Sequence, residues 1–277
     1  MIDTPLLVNT LLHLTPVLYG VALFDYLLVF VSDDVLVRRL ARPLLVTAFT
    51  VNFFYLLSYT LYFQHVPLVT VFQMLGAVGF ALCATYLWVE SRTRTPYTGP
   101  FILFLVVVFQ IINAEFPRFE TSVPELLQSK FFSFHVTAAV LGYSALSIAA
   151  VYGLLYLLLY HQMRGKRFGL VFRRLPSLDT LDRMNFHAMA VGLTFLTLGV
   201  VLGIVWSVRL PEGSGLDAKL WTAVVTLIIY GAVILARQYS SWRGPRLAYS
   251  SIIGFLVLLF SVFGVNFFLT DFHGFVG

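Results

Sequence analysis

Charge is what this sequence has least of. Only 11% of its 277 residues are Asp, Glu, Lys or Arg, against 59% hydrophobic ones. So few polar side chains cannot cover a soluble protein of this length, which excludes the water-soluble classes and leaves a polytopic membrane protein. Cysteine is almost absent: the one residue, Cys83, lies inside an apolar run. That excludes a CxxC exchange pair, a CxxCH attachment motif and a disulfide framework. The acids Glu115, Glu120, Glu125, Glu212 and Asp217 form no HxxxH or HxxE spacing with any histidine, so a hydrolytic zinc site has little support. There is no internal repeat and no separate soluble domain. The longest polar stretch, 162–185, is too short to bury a core of its own, and the chain reads as a single integral membrane domain over 1–277.

What is present is a series of apolar runs long enough to cross a bilayer, which takes about 20 residues each. Eight are expected: 5–31, 43–64, 68–89, 99–114, 131–160, 187–209, 218–237 and 247–270. The first run lacks a basic flank and a small-residue cleavage site, so it is expected to stay as a span. The fold class is therefore an all-α polytopic transmembrane bundle. Its orientation follows from the bases. Junctions on one side carry Arg38, Arg39, Arg42, Arg92, Arg94, Arg164, Lys166, Arg167, Arg173, Arg174, Arg183, Arg237, Arg243 and Arg246, whereas the other side carries Arg118, Lys130, Arg209 and Lys219. The positive side is cytoplasmic, and both termini are then outside. The basic pI reflects this anchoring rather than nucleic-acid binding.

On the outer side the polar inventory is small. His65 lies between the second and third runs, His135 early in the fifth, His273 just past the eighth and His13 in the outer part of the first. His161 and His187 fall at inner ends. Between the sixth and seventh runs lies GIVWSVRLPEGSGLDAKLW, 203–221, a polar loop closed at its ends by Trp206 and Trp221. Histidines at the outer ends of separate helices can converge in space. Imidazoles together with 16% aromatic residues match what a haem requires, axial ligands and a large apolar surface for the porphyrin face. The spacings of GVVLG, with Gly199 and Gly203, and of Ala145, Ala149 and Gly153 are expected to serve close helix packing. Asp25 lies near the inner end of the first run, within reach of water or an arginine.

The stretches FFSFHVTAAVLGYSAL, LDRMNFHAMAVGLTFLTLGVVLGIVW, LDAKLWTAVVTLIIYG, SWRGPRLAYSSIIGF and FSVFGVNFFLTDFHGF occur in this order over 131–277. In that order they resemble the cytochrome c assembly family of haem-handling membrane proteins, with its CcsA, CcmC and HemX branches. The upstream QHVPLVTVFQML is similar to the family's GHxPLSNxYESL segment. The resemblance implies a haem b platform on the outer face, the family's tryptophan-rich WWD region, held between two histidines. His135 matches the histidine before that loop and His273 the one after it, as axial ligands to the haem iron. Asp217, Trp206 and Trp221 stand in or beside the platform, with His65 upstream. The platform is reduced, since LDAKLW stands where WDPKExW is usual.

Family members that move haem across the membrane also carry a histidine in the seventh span. Here AVILARQYSSWRG places Leu235 at that position. The resemblance thus implies haem binding for cytochrome c biogenesis or haem handling, in the plasma membrane of a bacterium, without catalysis by this chain alone. An alternative is a HemX-like regulator or scaffold of tetrapyrrole synthesis, acting through the basic segment RGKRFGLVFRRLPSLDTLDR. Expected partners are lipid, haem, and either a companion assembly subunit or a haem-synthesis enzyme, with no nucleic acid. A solute transporter is disfavoured, because no repeat or pair of Gly/Pro-broken spans is visible.

Overall fold

Each expected apolar run is a helix in the computed structural model, which describes residues 6–32, 34–117, 119, 129–166, 168–207, 218–240 and 242–268. The helices are α1 (Leu6–Ser32), α2 (Val35–Phe63), α3 (Val71–Thr93), α4 (Gly99–Glu115), α5 (Lys130–Arg164), the short α6 (Leu170–Arg174), α7 (Leu178–Ser207), α8 (Ala218–Ser240) and α9 (Pro245–Phe268). No strand occurs among the described residues. Seven of the helices are long and apolar enough to cross a membrane, and α4 is a shorter apolar helix of 17 residues. The protein is a polytopic helical membrane protein.

Two helices start well before the expected spans. α2 begins at Val35 rather than near 43, because Asp34 caps it: the carboxylate accepts from the Leu36 amide at 2.7 Å and the Val37 amide at 3.4 Å. Exposed Arg38, Arg39 and Arg42 ride on its first turns. α7 begins at Leu178 rather than near 187, with the Ser177 hydroxyl accepting from the Thr180 amide at 3.3 Å. Asp179 and Arg183 pair one turn apart on the exposed face of this extension, at 2.8 Å. Hydropathy ends where the chain leaves hydrocarbon; backbone hydrogen bonding continues into water.

The chain divides into two compact units, Met1–Gln128 and Ser129–Gly277. In the first, α1 packs on α2 and α4, and α3 packs on α4. Thr70 and Gln73 start α3 with a capping box, and Arg94 ends it in the left-handed conformation. At the His65 end of this unit, Val8, Leu12, Tyr55, Tyr59 and Ala114 form a buried cluster covered by Phe63 and Phe119.

In the second unit α5 is central, buried along most of its length against α7 and α9. Ser129 caps its start, accepting from the Phe132 amide at 3.2 Å. The α5–α7 contact brings backbones together: a Cβ added at Gly142 would lie 2.9 Å from the Leu196 amide nitrogen. Gly153, in the expected small-residue stripe, admits Ser251 and the Ala248 carbonyl of α9. α8 joins through Tyr230, whose hydroxyl donates to the Ser251 carbonyl at 3.1 Å, and through Thr222 and Ser261, whose hydroxyls are 2.6 Å apart. At the opposite end Asp182 of α7 takes Arg237 of α8 at 2.7 Å and the Gly244 amide at 2.8 Å. The same guanidinium lies 4.4 Å from the Phe186 ring centroid. This pair latches the α8–α9 hairpin to α7.

Candidate functional site

The chemistry at the His135 end of the second unit begins with a hydrogen bond. His135 lies in the second turn of α5, and its Nδ1 is 2.6 Å from the carbonyl oxygen of Gly199 on α7. A carbonyl can only accept, so Nδ1 carries the hydrogen. In the neutral imidazole the lone pair is then on Nε2. Anchoring one ring nitrogen to a backbone carbonyl while presenting the other is how ligating histidines are oriented toward a metal.

The ring fits because of the residue one turn further along α7. A Cβ at Gly203 would lie 2.8 Å from His135 Cε1 and 2.9 Å from Nδ1. Gly199 in turn lies against the Ala139 backbone, where a Cβ would be 3.2 Å from the amide nitrogen. The two glycines of GVVLG therefore do more than bring helices together: one supplies the acceptor and the other the space for the imidazole. The ring is partly buried between α5 and α7.

Trp221, in the first turns of α8, is 56% exposed, so its indole contributes little to the packing of its own unit and is available as a surface. Trp206 lies in the last turn of α7, with its side chain outside the described ones. Asp217 and His273 lie outside the described residues. His65 belongs to the first unit, where its ring packs edge-on to Tyr59 at 5.5 Å between centroids and its Nδ1 is 3.2 Å from the Val66 carbonyl. His13 is exposed on α1, His161 is exposed in the last turn of α5, and His187 is exposed in the third turn of α7, both of the latter remote from His135. Leu235 is 54% exposed on α8 and points away from the interior of its unit.

Among the described residues no group of three or more His, Cys, Asp or Glu could hold a bare metal ion. A single oriented imidazole suits a metal that brings its own equatorial ligands. Reasoning from sequence missed the Gly199 carbonyl, because backbone acceptance has no signature in residue type. It also counted Arg237 simply as an inner base, whereas the structure buries it against Asp182 and Phe186. The charge of Asp182, the fifth residue of a helix whose start was read as a loop, was the available signal.

Residues 27–273 match the family model described as cytochrome C assembly protein. Among curated proteins the chain is 28% identical to the protein HemX of Brevibacillus brevis, over 93% of this chain and 95% of that protein. It is 27% identical to HemX of Bacillus subtilis, over 94% and 95%. It is 26% identical to the cytochrome c biogenesis protein CcsA of Heterosigma akashiwo, over 93% and 91%.

Proposed function

The chain belongs to the cytochrome c assembly protein family, and we propose that it binds haem b at the outer face, with His135 Nε2 as one axial ligand. The observation that carries this reading is the Nδ1–H bond to the Gly199 carbonyl, which leaves Nε2 as the ring's open donor. His273 would be the second iron ligand in this reading. In this reading Trp206, Trp221 and Asp217 would hold the haem, the indoles offering apolar surface to the porphyrin. The bound haem supplies redox-active iron. The protein's part is to orient the imidazole and shield the macrocycle from water.

The chain holds or hands over haem for cytochrome c biogenesis or haem handling and catalyses no bond-making by itself. Its orientation places both termini and the His135 end outside the bacterial plasma membrane, supported by the distribution of bases. The exposed Leu235 offers no iron ligand within the span. Haem transfer across the bilayer by this chain alone is therefore not part of the proposal.

A second reading has its own support. The end-to-end similarity to two HemX proteins, together with exposed Phe172 and Arg173 on α6 and Phe168 just before it, fits a regulator or scaffold that engages a haem-synthesis enzyme through 164–183. Haem titration of the purified protein tests the first reading. A Soret band is expected in the wild type and its near loss in a His135→Ala, His273→Ala double variant. Unchanged haem content in that variant removes the site.

A further inference from the structure

A turn between two membrane spans needs only polar residues, yet the one joining α5 to α7 is basic and aromatic. Residues 161–177 read HQMRGKRFGLVFRRLPS, with five Lys or Arg and no acid. Within this turn lies α6, too short to be stable alone. The end of α5 holds it: the Gln162 side-chain carbonyl accepts from the Phe172 amide at 3.2 Å, and a Cβ at Gly169 would lie 3.5 Å from Gln162 Nε2. Phe168 and Phe172 meet edge to face with centroids 4.8 Å apart. They nevertheless remain 57% and 37% exposed, and Leu170 is 38% exposed. Arg164, Lys166 and Arg173 of the same segment are exposed as well.

The level of this turn follows from α5. The Tyr156 hydroxyl lies against Gly244, where a Cβ would be 2.7 Å away, and the Gly244 amide donates to Asp182, the carboxylate that holds Arg237. An ion pair at the ends of these helices marks the edge of the hydrocarbon, where charge stops being expensive. From Tyr156 to Gln162 the helix rises about 9 Å at 1.5 Å per residue. The polar headgroup layer on one side of a bilayer is roughly 5–8 Å thick, the difference between a membrane of about 40–45 Å and its hydrocarbon of about 30 Å. Gln162, and α6 bonded to it, therefore lie at the outer part of the headgroup layer, with side chains in reach of its phosphates.

We propose that 164–174 docks on the membrane surface and binds the headgroups of anionic phospholipids. Phe168, Leu170 and Phe172 enter the interface, and Arg164, Lys166 and Arg173 meet the phosphodiesters, which a guanidinium can grip through two parallel hydrogen bonds. Charge complementarity selects this partner. The acids of 162–185 are Asp179 and Asp182, and they engage Arg183 and Arg237. The segment 164–174 keeps a net positive charge for an anionic surface to meet. A bilayer is favoured over a soluble protein because both ends of the turn are fixed in spanning helices, and Gln162 keeps α6 against the end of α5 instead of letting it extend into water. The segment contains no residue of the proposed haem site, so the inference does not depend on haem binding.

The experiment uses the full chain with a nitroxide on the cysteine of Leu170→Cys, which keeps both phenylalanines; Cys83 is buried and stays unlabelled. The labelled protein is placed in vesicles of phosphatidylcholine with or without phosphatidylglycerol. Power saturation compares collisions of the label with oxygen, which concentrates in lipid, and with a water-soluble nickel chelate. In phosphatidylglycerol vesicles oxygen should dominate, and in phosphatidylcholine alone the balance should move toward nickel. Each base near an anionic surface contributes about fivefold, so adding Arg164→Gln and Arg173→Gln should lower the docked-to-undocked ratio roughly 30-fold. An unchanged elution profile confirms folding. If the double variant misfolds, raised salt acting on the unsubstituted bases makes the same comparison. Nickel dominating in phosphatidylglycerol vesicles, which leaves the turn open to a soluble partner, overturns the proposal. So does an equal depth in the two kinds of vesicle. Haem content, read on the same samples, should not differ.

Discussion

Replacing Gly203 with alanine should damage the haem site without touching a ligand. The new methyl would sit 2.8 Å from Cε1 and 2.9 Å from Nδ1 of His135, where carbon contacts are favourable at about 3.5–4.0 Å. Backbone on both helices is fixed by the neighbouring Gly199–Ala139 contact, so the ring must yield. To regain contact distance it must move by roughly 0.7 Å or more, and the 2.6 Å bond to the Gly199 carbonyl lengthens or breaks. Overpacking of this kind costs about 1–3 kcal/mol. Loss of a partner that orients a metal ligand weakens metal affinity about 10- to 100-fold. Haem titration followed at the Soret band should therefore show a raised Kd with a shifted maximum. Gly192→Ala is the control: its Cβ would crowd Leu146, 2.6 Å from Cδ2, on the same helix pair but away from His135. It should lower thermal stability comparably and leave the haem spectrum unchanged. A Gly203→Ala protein with wild-type affinity and spectrum would refute the claim that this glycine and carbonyl position the ligand.

Other outcomes follow from the same structure. Asp182→Ala leaves Arg237 buried without its carboxylate, and should cost about 3–5 kcal/mol, read as a lower Tm in detergent; an unchanged Tm contradicts the latch. Trp221→Ala should leave Tm unchanged, since the indole is 56% exposed, and weaken haem binding by about 1 kcal/mol, roughly fivefold. Reporter fusions after Arg94 and Arg174 should score cytoplasmic and fusions after Glu125 and at Gly277 external, and the reverse pattern overturns the orientation. Leu235→His places an imidazole on an outward-facing position of α8; haem content should rise if a ligand in the span is what the chain lacks, and stay constant if that absence is immaterial.

The apolar runs made the helices legible because lipid imposes a length and a composition on every span. They misplaced the starts of α2 and α7, where the Asp34 and Ser177 caps and the exposed arginines carry the helix beyond hydrocarbon. The place of His135 near a helix end was legible. Its orientation was not, since the acceptor is a main-chain oxygen of Gly199. The spacing of Gly199 and Gly203 read correctly as close approach, but only coordinates show that the group approaching Gly203 is an imidazole. The buried polar contacts of the first unit were hidden for a different reason. Tyr19, Tyr26 and Tyr86 count as aromatic bulk in any hydropathy reading, and Glu90 falls just past the expected end of its run. Their hydroxyl partners are distant in sequence, as Tyr26 and Glu90 illustrate.

The central claim is that the His135 imidazole ligates haem iron, and chemical rescue addresses it most directly. The His135→Gly protein, purified with and without added imidazole, is compared with wild type by absorbance and by electron paramagnetic resonance of the ferric state. A free imidazole occupying the vacated space should restore haem retention and the low-spin signal of two-histidine ligation. A His135→Gly protein that retains haem with the wild-type signal before any imidazole is added would contradict the account.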